Sequence, residues 1–369
     1  MNRDRAAHGE RGVSWRLREP ERFRQGALRV LYDPVPGPLT AIALAVRAGS
    51  RFDGPHPGIA HMTEHMLFQG TGQLDQAALN RRAGELGGEH DADTGYEDIA
   101  LHFEVFNEDV EDALGLFAEQ CFHSTVPADR LAKEQRVVID EIRGRQEDPG
   151  NYVHERAWAR FFGEPLGHPV CGTITSVKQI TRDAVRAFIG RHFVPANMVL
   201  ALVGGVGRDR IRRALRRAFP GDGNPPRIRA RRARTDGLFQ EIRERLGLGY
   251  DLSAAVEQGP DWAVAVLAAS AARDEERRLR ETLDRTCRDA AGGFAAEELA
   301  RARKKVRYRF ARLADSRLER AIGHAARAAC AQPSLVATER LIASLRPAEV
   351  EEGWRRALAA PSLTAVLRG

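Results

Sequence analysis

The stretch Gly58-Ile59-Ala60-His61-Met62-Thr63-Glu64-His65-Met66-Leu67-Phe68-Gln69-Gly70-Thr71 decides how the chain is read. Its pattern predicts a helix from about Gly58 to Phe68, stopped at Gly70. In that helix His61, Glu64 and His65 stand at positions i, i+3 and i+4, so all three project from one face. Two imidazoles on adjacent turns can bind one zinc ion through nitrogen, and Glu64 is then placed beside the metal rather than on it. Zinc polarises a bound water, and a carboxylate at that position can take its proton. The order H-x-x-E-H is the inverse of H-E-x-x-H.

A catalytic zinc needs a third protein ligand and an open position. The strongest candidate lies on a helix expected over Asp129 to Arg145, in the string Glu134-Gln135-Arg136-Val137-Val138-Ile139-Asp140-Glu141. Glu134 and Glu141 are two helical turns apart and share a face, while Val137, Val138 and Ile142 supply an apolar stripe. One carboxylate can ligate zinc while the other supports the site from behind. His56, His90, His102, His123, His154, His168, His192 and His324 read as ordinary imidazoles with satisfied or solvated nitrogens.

Outward from this core, Ala27 to Tyr32 and Thr40 to Val46 read as strands around a Pro-Gly turn. An amphipathic helix is expected over Leu74 to Leu86, then strands near Glu89 to Thr94 and Ile99 to Phe106. Helices follow over Val110 to Phe122, Asn151 to Phe162, Thr181 to Phe193 and Asp209 to Phe219, with a buried strand at Met198 to Val203. Pro220 to Pro226 reads as a linker, extended by the basic run Arg227 to Arg234. Beyond it come a helix near Leu238 to Leu246 and strands near Tyr250 to Val256 and Trp262 to Ala268. Helical stretches over Asp274 to Ala291 and Ala296 to Ala331 follow, with a short closing strand at Leu363 to Leu367. Strands and helices mix without regular βαβ alternation, so the expected class is α+β.

With 369 residues, 43% hydrophobic and 29% charged, the chain is long enough for two domains with real cores. A net charge of +6 is a mild excess that modestly favours acidic partners. No aromatic residues interleave with Arg227 to Arg234, so that run reads as solvated surface rather than a nucleic-acid site. No stretch approaches the roughly 18 consecutive apolar residues of a membrane span. The N-terminus lacks the apolar core of a signal peptide, and a cytoplasmic location is expected. Cys121, Cys171, Cys287 and Cys330 are scattered and suit reduced thiols.

With these residues in view, the sequence resembles the insulinase/pitrilysin metallopeptidase family, especially bacterial proteins similar to mitochondrial processing peptidase. The likeness is carried by Ala48 to Asp53, Gly58 to Thr71 and Glu134 to Ile142. Gly87-Gly88-Glu89, Gly167-His168-Pro169, Gly172-Thr173 and Pro195-Ala196-Asn197-Met198 extend it, as does Leu238 to Tyr250 in the second half.

The resemblance implies that His61, His65 and Glu141 bind Zn²⁺, that Glu64 is the general base and later the proton donor, and that Glu134 is an auxiliary glutamate. It implies that Arg243 and Tyr250 contact substrate and polarise the scissile carbonyl. A substrate peptide would lie beside an edge strand at Gly88 to Thr94, where Asp91 and Asp93 suggest a preference for basic residues. The implied architecture is two related α+β domains with helices packed on a sheet. Residues 1–219 would form the zinc-binding domain, 220–236 a linker and 237–369 a shortened substrate-clamp domain. Losing the strands that normally open the second domain would leave a sheet edge to be covered or paired with a partner chain. The expected activity is a zinc endopeptidase for short or unfolded peptides, with processing of a precursor or leader among its roles. The alternative is a non-catalytic or partner-dependent subunit of a heteromeric processing peptidase. A homodimer, or a heterodimer with a homologous subunit, is the implied assembly, without nucleic acid or membrane.

Overall fold

In the computed structural model the described residues are 17–219, 252–269, 271–360 and 362. Arg243, Tyr250, the expected linker and the expected closing strand lie outside them. The fold is mixed α+β, built on a six-stranded sheet. Its strands are β1 (Glu21–Gln25), β2 (Leu28–Pro34), β3 (Leu39–Val46), β4 (His90–Thr94), β5 (Ile99–Phe106) and β6 (Met198–Gly204). Their order is β1-β2-β6-β3-β5-β4, antiparallel except for the parallel pair β2–β6.

The central strands β3 and β6 are apolar on both faces because both faces are covered. Ile42, Leu44 and Val46 of β3 join one core, with α1 (Ile59–Leu67), α2 (Gln76–Glu85), α3 (Val110–His123) and α4 (Ala128–Glu147). After α4 come α5 (Pro149–Phe162), α6 (Ile174–Gln179), α7 (Arg182–His192) and α8 (Arg208–Ala218). The expected boundary near residue 219 falls at the end of α8.

The later residues return to this sheet. The hairpin β7 (Leu252–Gln258) and β8 (Ala263–Ala269) forms a separate two-stranded sheet. It is followed by α9 (Glu276–Asp289), α10 (Ala296–Asp315), α11 (Arg317–Ala329), α12 (Leu335–Ser344) and α13 (Pro347–Leu358). Helix α11 covers the second face of the sheet, setting Ala321, Ala325 and Ala329 against Ala41, Ala43 and Ala45. Small residues on both sides let the helix lie close to the strands. At one end of this contact Arg320 of α11 pairs with Asp33 of β2, and both are buried.

Three features depart from the expected elements. The polar segment Glu21–Gln25 is a strand because it pairs with β2 at the sheet edge. The single helix expected to run to Ala331 is two, since the Ser316 hydroxyl accepts the Glu319 N–H and starts α11 afresh. Helices α6, α12 and α13 were not anticipated. Among the described residues, no helix is long and apolar enough to cross a membrane.

Candidate metal centre

Helix α1 begins at a tightly built corner. Gly58 has φ 92°, and a Cβ there would lie 2.6 Å from the Cys171 carbonyl oxygen, so only glycine fits. Buried Asp53 accepts the N–H groups of Gly58 (2.5 Å) and Ala60 (3.0 Å), satisfying donors that a helix start leaves open. His168 Nε2 lies 3.1 Å from Asp53 Oδ2 and holds that carboxylate in turn. The start of α1, and with it the first turn that carries His61, is thereby fixed.

One side-chain donor atom each from His61, His65 and Glu141 lies within 4.8 Å of the others. Glu141 Oε2 is 3.8 Å from His61 Nε2 and 3.7 Å from His65 Nε2. These gaps are too long for hydrogen bonds. They lie near the donor–donor edge of roughly 3.4 Å that a tetrahedral zinc with bonds of about 2.0–2.1 Å would set. The imidazole centroids are 4.7 Å apart, at 73°. His65 Nδ1 is 2.9 Å from Glu134 Oε2, so Nδ1–H donates and the Nε2 lone pair is left toward Glu141. Burial, then the neighbouring His65 and Arg145, lowers the His61 pKa to about 4, which keeps that imidazole neutral. His61 Nδ1 is buried without a hydrogen-bond partner among the described residues. The donor set and its spacing therefore fit zinc, with His61, His65 and Glu141 as holders and Glu134 behind His65.

Glu64 stands on the same helix face. The Thr94 hydroxyl, at the end of edge strand β4, donates to Glu64 Oε2. Burial raises the Glu64 pKa to about 7 against the pull of Thr94 and His65, with Asp93 and Asp91 adding to the rise. A carboxyl in this state can gain or lose a proton near neutral pH.

Residues 29–174 match the family model described as insulinase (peptidase family M16). That segment resembles the insulinase family. A protein of Rickettsia bellii called "uncharacterized zinc protease" is 27% identical over 315 residues, covering 72% of this chain and 76% of that one. Among solved structures, a protease from Helicobacter pylori superposes with a TM-score of 0.81 at 15% identity, covering 92% of this chain and 97% of that one. A peptidase M16 inactive domain from Pseudomonas fluorescens gives 0.79 at 18% identity, over 92% of this chain and 95% of that one. At such identities the structural likeness speaks to the fold alone, and the insulinase-type fold extends well past the matched segment.

Of the residues singled out in the sequence, His61, Glu64, His65, Glu134 and Glu141 come together, while Arg243 and Tyr250 lie outside the described residues. Sequence reasoning gave Thr94, Asp53 and His168 no individual role. It also passed over Arg51, whose guanidinium bridges Glu97 Oε1 (2.8 Å) and both oxygens of Asp261 (2.5 and 2.8 Å). That bridge ties the β4–β5 turn to the β7–β8 hairpin, and its only sequence signal was an arginine within the segment Ala48 to Asp53.

Proposed function

We propose that this chain is a zinc-dependent endopeptidase acting on short or unfolded peptides, with processing of a precursor or leader peptide among its roles. The observation that carries this reading is the convergence of His61, His65 and Glu141 beside a buried Glu64 that Thr94 holds. When bound, zinc supplies Lewis acidity, lowering the pKa of a water and polarising a carbonyl oxygen. Glu64, with Oε2 engaged by Thr94, takes the proton of the attacking water on Oε1 and later gives it to the leaving amine. Among the described residues strand β4 pairs with β5 alone, and its other edge is suited to hold an extended peptide beside Glu64. Arg243 and Tyr250 contact the substrate and polarise its carbonyl in this reading, within a clamp at 237–369 joined to the domain at 1–219 through 220–236.

The active assembly is a homodimer, or a heterodimer with a homologous subunit that encloses the peptide. A cytoplasmic location belongs to the same proposal and accords with four free cysteines, three of them buried; cell fractionation tests it. A second reading is a non-catalytic or partner-dependent subunit of a heteromeric processing peptidase. Zinc analysis together with cleavage of a quenched peptide library by wild type and Glu64→Gln separates the two. Zinc bound and peptides cut by wild type alone supports the peptidase. Zinc bound and nothing cut, even with a homologous subunit added, supports the second reading.

A further inference from the structure

Helix α4 runs on past Glu141 to Arg145, one turn further along the same face. The metal centre does not use this arginine. Its Nε lies 3.1 Å from Glu155 Oε1 of α5. The two partners are unequally covered: the Glu155 side chain is 16% exposed and the Arg145 side chain 47%. Glu155 thus holds one edge of the guanidinium from the inner side. The two amino groups of Arg145 take no partner among the described residues.

Its electrostatic neighbours locate that guanidinium. Burial, then His65 and Arg145, depresses the His61 pKa. Burial, then Glu257 and Glu155, raises the Tyr96 pKa, and Arg145 opposes that rise. Arg145 is therefore within reach of both His61 and Tyr96, the residue two places beyond the end of β4. Tyr96 stacks on Trp158 of α5 with ring centroids 4.8 Å apart, so the wall beside the charge is largely apolar. A charged contact against such a wall is less screened than one in open water.

A peptide held along β4 beside Glu64 and continued past Thr94 passes Tyr96 and comes up to the open side of Arg145. Residues one turn apart on a helix face have Cβ atoms about 5–6 Å apart, and an extended peptide advances about 3.3 Å per residue. With the length of an arginine side chain added, the guanidinium meets a group about two to four residues from the scissile bond, on one side only. A planar, permanently charged fork with its Nε edge already fixed is suited to donate two parallel N–H bonds to a carboxylate. An arginine in the last turn of a helix also complements the helix dipole, a role that creates no substrate preference.

We propose that Arg145 is a specificity residue that binds a carboxylate of the substrate peptide beside the metal centre, an acidic side chain or the free C-terminus. The proposal rests on the peptidase reading for its substrate, but binding can be measured without turnover. Short fluorogenic peptides carrying one glutamate, moved position by position, are compared with glutamine at the same place. A second series compares a free C-terminus with its amide at each distance from the cleaved bond. Cleavage is read as kcat/KM. Binding of the same peptides to zinc-loaded Glu64→Gln protein is read by fluorescence anisotropy. In one series the carboxylate is expected to raise kcat/KM and tighten binding by about fivefold to tenfold, an effect that shrinks as salt is raised. The series that responds identifies the source of the carboxylate.

Arg145→Gln brings the responding ratio close to one. Arg145→Glu turns the preference toward lysine at the same position, or toward the amide at the C-terminus, a gain that loosened packing of α5 cannot imitate. A carboxylate preference unchanged in Arg145→Gln, or no preference in either series, overturns the proposal. If wild type cuts nothing but anisotropy shows a carboxylate preference that Arg145→Gln abolishes, the role of Arg145 stands and the peptidase reading falls.

Discussion

Replacing Trp262 by alanine tests how the β7–β8 hairpin is joined to the unit built on the six-stranded sheet. Trp262 is 5% exposed and packs with Trp158 and Leu166. Its ring lies 5.5 Å from those of Trp158 and Phe162, and its Nε1–H donates to Glu97. Truncating a core tryptophan costs about 3–5 kcal/mol. Trp262→Phe keeps most of the packing and removes the hydrogen bond. Glu97 Oε1 retains Arg51, so no new orphan is made and the expected cost is about 1.5 kcal/mol. The difference of roughly 1.5–3.5 kcal/mol between the variants is then the packing share. Urea unfolding followed by circular dichroism reads both values, and limited proteolysis reads local release of the hairpin. A loss under about 1 kcal/mol for Trp262→Ala with an intact proteolysis pattern would refute the account, because a buried aromatic joint cannot be removed that cheaply.

Glu134→Gln should lower zinc affinity about 10–100-fold in a chelator competition assay, through the weakened hold on His65 Nδ1. Arg320→Ala should destabilise the fold by about 3–5 kcal/mol, since it leaves Asp33 charged and buried beneath α11; chemical denaturation measures it. His192 is 3% exposed, and burial, then Arg191, lowers its pKa to about 4 from 6.5. Below pH 6.5 the unfolded chain takes up a proton that the folded imidazole refuses. Stability should therefore fall by up to about 3 kcal/mol between pH 6.5 and 4, and His192→Phe should flatten that part of the curve.

The helix bearing His61, Glu64 and His65 was legible because ligand spacing and helical period coincide within a few residues. Glu134 and Glu141 were legible for the same reason, two turns apart on one helix. What joins the two helices to the rest was not. Asp53 capping α1, and Thr94 reaching Glu64 across thirty positions, depend on tertiary approach and leave no periodic trace. The break at Ser316 had a local signal, a serine able to cap, but no glycine or proline to advertise it. Helix α11 shows the same limit. Its alanines at every fourth position read as a helix, while their role became visible only once β3 presented Ala41, Ala43 and Ala45 opposite them.

The central claim is that His61, His65 and Glu141 hold zinc while Glu64 stands beside it without ligating. Zinc content per folded chain, measured for wild type, Glu64→Gln, His65→Ala and Glu141→Ala, tests this most directly. The account predicts one zinc per chain in wild type and in Glu64→Gln, and strongly reduced zinc in the other two. Full zinc in Glu141→Ala, or its loss in Glu64→Gln, would contradict the assignment.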